Sequence, residues 1–140
     1  MKEVELKTFG QVIDKVLLSI LIFITVSFVT MLFLGIRPYV VMSGSMEPTI
    51  PVNALCLVDM DVEYEDIELN DVILYRRDRN GIDMDVLHRV VNISSDGFET
   101  KGDANAASDD LLVTEDMVEG KVLFHVPTVG KAFRLLRGNR

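Results

Sequence analysis

The chain has 140 residues and a formal net charge of −8, with 14 Lys and Arg against 22 Asp and Glu, and 49% of it is hydrophobic. That balance excludes a disordered polyelectrolyte and sets one small domain as the ceiling; it also lacks the basic face that phosphate neutralisation demands, so no nucleic acid partner is expected. A single Cys56 cannot close an intramolecular disulfide, which excludes a stapled mini-protein and leaves the fold to packing.

The first element is an apolar run. Residues 16–36 (VLLSILIFITVSFVTMLFLGI) carry no charge, and a helix of that length, at about 1.5 Å per residue, spans the roughly 30 Å hydrocarbon core of a bilayer. A signal-peptide core is shorter, about 7–15 residues, and Gly35-Ile36-Arg37-Pro38 is not a small-x-small cleavage site, so a retained transmembrane helix is expected in place of a cleaved leader or a buried core helix. Lys2, Lys7 and Lys15 precede the run, and Arg37 alone follows it before Arg76. The positive-inside bias then makes 1–15 a cytoplasmic tail and 37–140 an extracytoplasmic domain. Within 1–36 the three lysines balance Glu3, Glu5 and Asp14, so the exported part carries the whole charge of −8.

That exported part reads as β-rich. Residues 54–58 (ALCLV) and 72–75 (VILY) have the branched and aromatic content of strands, and Asn80-Gly81 and Asp96-Gly97 are hairpin dipeptides. A three-stranded meander is predicted over 72–77, 84–93 and 98–101. Period two along the middle strand puts Val86, His88 and Val90 on one face, so His88 stands among apolar neighbours. Residues 102–110 are small, polar and aperiodic, which predicts a loop, and a last strand is expected over 121–126. For the basic tail, 131–140, a frayed terminus is the favoured reading, with contact of Arg134, Arg137 and Arg140 to lipid headgroups as the alternative. The fold class expected is mainly β: one N-terminal transmembrane helix followed by a small β-rich domain.

Chemistry gathers around a hydroxyl. Val41 to Ile50 (VMSGSMEPTI) sets Ser43 and Ser45 around a glycine before a proline, a few residues beyond the apolar run. A serine attacks only when a base takes its proton and a third group orients the base. The bases on offer are His88 and His125, and Asp103 and Asp109 lie in the loop after the strand predicted to pair with that of His88. On these residues alone two readings stay open: a Ser45/His88/Asp triad, or a satisfied core histidine beside solvated loop aspartates.

Three boxes together, Ser43-Gly44-Ser45-Met46-Glu47-Pro48-Thr49, Leu87-His88-Arg89-Val90-Val91, and Lys101-Gly102-Asp103-Ala104-Asn105 with Asp109, resemble in order and spacing the type I signal peptidases of the archaeal and endoplasmic-reticulum branch, over almost the whole chain. The resemblance implies a small catalytic domain of signal-peptidase fold, with Ser45 as nucleophile and His88 as base where the bacterial branch has lysine; no lysine occurs between Arg37 and Lys101. It implies Asp109 as the triad acid and Asp103 as a second essential acid, with Asp110 competing for the place of Asp109 through a one-residue shift. It also implies an oxyanion hole from the Ser43 hydroxyl and the Ser45 backbone N–H. Ala104 and Asn70-Asp71 depart from the family pattern without touching these groups.

The activity implied is that of a membrane-bound serine endopeptidase that removes N-terminal signal peptides from exported preproteins, in the cell membrane or the endoplasmic-reticulum membrane. Its expected partners are signal peptides, the lipid bilayer and other signal-peptidase-complex or translocon subunits. The alternatives are a specialised processing peptidase of the same fold and an inactive membrane-anchored binding module. No metal or cofactor is expected, because the two histidines lack metal-ligand spacing. Cys56 and His125 read as structural, Asn92-Ile93-Ser94 is a glycosylation sequon, and Val41, Met42 and Met46 are assigned to substrate pockets from adjacency to Ser45 alone.

Overall fold

A computed structural model describes residues 2–78 and 81–127, with side chains from residue 10 onward. The chain divides into two units, residues 1–34 and 35–140. The first is helix α1 (Lys2–Phe33), whose segment Gly10–Phe33 is long and apolar enough to cross a membrane. The helix is longer at its N-terminus than the apolar run and stops short of the predicted end at residue 36. Leu34 closes the last turn by donating its N–H to the Thr30 carbonyl, and Gly35 follows at φ 71°, a left-handed conformation that glycine adopts at low cost and that ends helices. Ile36, expected in the helix, is instead the first residue of a strand.

The second unit is a six-stranded antiparallel sheet: β1 (Ile36–Val40), β2 (Leu55–Asp59), β3 (Val72–Asp78), β4 (Asp83–Ser94), β5 (Gly97–Lys101) and β6 (Val118–Val126). Their spatial order is β1-β2-β6-β3-β4-β5. The predicted meander is present as β3-β4-β5, and the last strand enters between β2 and β3, a position that no local pattern reveals. Strand β1 was not predicted. Pro38 lies within it, which sequence reasoning counts against a strand, but β1 is an edge, where a missing N–H faces no partner. The β4–β5 hairpin turns through Ser95 and Asp96, with Ser94 opposite Gly97. Asn80, half of the other expected turn, and the tail 131–140 lie outside the described residues.

Both faces of the sheet are packed. Leu74 and Leu87 join one cluster with Val41, Met46, Ile50, Ala54, Cys56 and Val58. Ile73, Tyr75 and Val90, on the alternate positions of β3 and β4, join another with Ile67, Phe98 and Val113. Period-two alternation on two-sided strands produces this division, and side chains such as Val58, Ile73 and Val90 are fully buried. Burial of a Val or Ile side chain is worth roughly 1.5–3 kcal/mol, so the two clusters hold the sheet without a disulfide. Cys56 is itself buried, and that burial raises its thiol pKa.

Candidate active site

The segment Ser43–Ile50 crosses from β1 toward β2 as a series of turns, anchored at Met46 and Ile50, which are 1% and 2% exposed. Those two anchors leave the residues around them outward. Ser45 is half-buried, and its Oγ lies 3.2 Å from the Ser43 Oγ. The Ser45 carbonyl accepts the Ala104 N–H at 2.8 Å. A Cβ on Gly102 would stand 2.7 Å from that same carbonyl, so only glycine lets the two loops approach this closely. Of the residues assigned to pockets by adjacency, Met46 and Val41 are core residues, and Met42 is 83% exposed.

His88 comes from β4, opposite Ile73 of β3, and is buried as expected. Its Nδ1 lies 2.7 Å from the Asp109 Oδ2, both side chains about nine-tenths buried. With Nδ1 committed to a carboxylate, the neutral imidazole carries its proton there and presents Nε2 as the acceptor. Asp109 is placed by its own backbone, whose N–H donates to the Thr100 carbonyl at 2.8 Å, and its Oδ2 also accepts from the Thr100 Oγ1 at 2.6 Å and the Tyr75 hydroxyl at 3.1 Å. Burial, before any neighbour, pushes the Tyr75 phenol up to about 12, so it stays a donor at physiological pH.

The other two aspartates are held elsewhere. Asp103 receives a two-pronged bond from Arg89, Nε to Oδ1 at 2.8 Å and Nη2 to Oδ2 at 2.7 Å, while Arg89 Nη1 donates to the Asn70 carbonyl at 2.8 Å. The Arg89 hydrogen bonds hold the Asp103 carboxyl below its usual 3.8 against the opposing effect of burial, and hydrogen bonding from Thr49 lowers it further. Asp110 pairs with Arg77 at 2.6 Å. Among the candidate carboxylates, Asp109 is therefore the one against His88.

Loop 102–109 thus touches both halves of the site. It binds the serine segment through Ala104 and through Asp103 to Thr49, and the histidine strand through Asp103 to Arg89 and Asp109 to His88. No hydrogen bond joins Ser45 Oγ to His88 among the described residues; in enzyme sites such bonds commonly tighten only around substrate. Tyr75, Thr100 and the Thr49 contact were missed by sequence reasoning, because strand register and loop path decide them. His125 lies on β6 opposite Cys56, with β3 between its strand and that of His88, and no hydrogen bond or ion pair joins the two histidines among the described residues. Among the described residues no group of three or more His, Cys, Asp or Glu is arranged to hold a metal.

A hydroxyl on a turn segment, an imidazole on a strand and a buried carboxylate on a loop are the kinds of group a serine hydrolase uses. The family model of signal peptidase, peptidase S26, matches residues 13–123, and the chain belongs to that family. It is 38% identical over 85 residues to Signal peptidase I W of Bacillus subtilis, covering 58% of this chain and 43% of the relative. It is 33% identical over 109 residues to the signal peptidase complex catalytic subunit SEC11 of Colletotrichum graminicola, covering 69% of this chain and 62% of the relative. The same subunit of Metarhizium robertsii is 34% identical over the same length. The chain spans between about two fifths and about three fifths of the length of these relatives.

Proposed function

We propose that the protein is a membrane-bound signal peptidase I, a serine endopeptidase that removes N-terminal signal peptides from exported preproteins. The observation that carries this reading is the buried 2.7 Å bond between His88 and Asp109 in a chain of the signal peptidase family. Ser45 attacks the scissile carbonyl as His88 Nε2 takes its proton. The resulting imidazolium is stabilised by Asp109, and the proton passes on to the leaving amine. The Ser45 N–H and the Ser43 hydroxyl hold the oxyanion, a contribution worth roughly 3–4 kcal/mol where such donors have been removed from other proteases. Water then hydrolyses the acyl-enzyme and restores Ser45. Asp103 acts at one remove, tying Thr49 of the nucleophile segment to Arg89 beside His88.

The segment Gly10–Phe33 anchors the chain in the cell membrane or the endoplasmic-reticulum membrane, with the N-terminus cytoplasmic and the sheet domain outside. An anchor and a catalytic domain on one chain keep the enzyme at the membrane that holds a signal peptide's apolar segment. Other signal-peptidase-complex subunits are partners in keeping with the similarity to SEC11. The test is cleavage of a reporter preprotein with small residues before the scissile bond, by the full chain in lipid. One cut by the native chain, reduced about 10³-fold or more in Ser45→Ala and in His88→Ala, is the expected result. Cleavage surviving Ser45→Ala sinks the mechanism, and a folded native chain that cuts nothing favours the inactive binding module.

A further inference from the structure

Sheet geometry sets a second layer behind the His88–Asp109 pair. Ile73 lies opposite His88, so Tyr75, two residues on, stands diagonal to it on the same face of β3. Thr100 of β5 lies opposite Val90, which shares the His88 face of β4. Three adjacent strands thus aim a phenol, an imidazole and a threonine hydroxyl at one place, and the Asp109 Oδ2 fills it, taking bonds of 3.1, 2.7 and 2.6 Å. The Tyr75 ring meets the His88 ring edge-on, with centroids 6.5 Å apart.

Neither hydroxyl is explained by packing. Tyr75 is 1% exposed and Thr100 fully buried, and Tyr75 belongs to an apolar cluster where Phe would fill the same volume without a polar group to satisfy. We infer that Tyr75 and Thr100 are positioning residues for catalysis, fixing the Asp109 carboxylate in the rotamer that orients His88. The inference rests on the assignment of Asp109 to the triad. The two hydroxyls, themselves 3.3 Å apart, hold Oδ2 from β3 and β5 while Nδ1 meets it from β4, and so fix the ring plane that aims Nε2.

The side chains bonded to Asp109 Oδ2 are Tyr75 from β3, His88 from β4 and the uncharged Thr100 from β5.

The test uses the full chain in lipid with a reporter preprotein, comparing Tyr75→Phe, Thr100→Val, Thr100→Ser and Asp109→Ala. Tyr75→Phe and Thr100→Val should lower kcat about 10- to 100-fold with KM little changed, as loss of a supporting hydrogen bond does elsewhere. Thr100→Ser, which keeps the hydroxyl, should retain most of the activity. Placed on the Asp109→Ala background, both substitutions should cost nothing more. Tyr75→Phe, which removes one oxygen and no carbon, reads the same carboxylate should Thr100→Val fail to fold.

Native kcat in the folded single variants, with Asp109→Ala impaired, would overturn the inference and leave the triad standing. An undiminished loss on the Asp109→Ala background would reduce both residues to structural ones. Full activity in Asp109→Ala would remove the triad assignment and this inference with it.

Discussion

Asp109 and Asp103 occupy one loop and carry the same functional group, yet their partners give them different work. Asp109 meets an imidazole and two hydroxyls, whereas Asp103 is paired with a guanidinium. Asp109→Asn should leave the fold intact and lower kcat by about 10⁴-fold, because an amide at that place favours the wrong imidazole tautomer; single-turnover cleavage measures it, and a loss under tenfold counts against the role. Asp103 is a stability residue as well. Its carboxyl is held below 3.8, so its contribution is complete above that value and is lost as pH falls through the depressed one. Asp103→Asn should therefore lower stability near neutrality by about 1–3 kcal/mol, with native and variant converging in acid. Thermal unfolding across the acid range checks this, and a gap that persists at the lowest pH would contradict it.

At the scale of elements, the site is assembled by a loop pressed between two strands and a series of turns. Its approach to Ser45 depends on Gly102, where any Cβ would meet the Ser45 carbonyl at 2.7 Å and the Asn105 side chain at 2.8 Å. Gly102→Ala should push the two loops apart, and a displacement near 1 Å in a catalytic group costs on the order of 10²-fold in rate. The sheet beneath should persist, since Gly102 lies beyond the end of β5. Kinetics with far-ultraviolet circular dichroism separates the two effects; an unimpaired rate would show that the contact does not position the nucleophile. Strand β1 carries the complementary lesson, because Pro38 is incompatible with an interior strand and harmless on this edge.

For the whole molecule, the described residues of both buried clusters lie between Val41 and Val113, within the second unit. A chain beginning at Gly35 should therefore fold cooperatively and cleave a soluble peptide with the rate of the full chain. It should process a preprotein in vesicles far more slowly, because the anchor confines enzyme and substrate to one surface. Urea unfolding and paired assays in solution and in vesicles test this. A truncated chain without a cooperative transition would show that the helix supplies folding energy to the sheet.

The residues 16–36 by themselves determined the presence of an apolar helix, because 21 uncharged residues in a row admit few other outcomes. The alternation along 84–93 likewise placed His88 on a buried face, and the spacing of three boxes pointed to the family before any fold was known. Three carboxylates in eight residues were beyond that reach, since a one-residue shift in a loop exchanges Asp109 for Asp110 and leaves the composition unchanged. Only the Thr100 carbonyl gripping the Asp109 N–H, with Arg77 and Arg89 claiming its neighbours, made the choice. The insertion of β6 between β2 and β3 and the meeting of Tyr75 and Thr100 at one oxygen were decided in the same way. Both join segments distant in sequence, and local periodicity carries no information about which strands become neighbours.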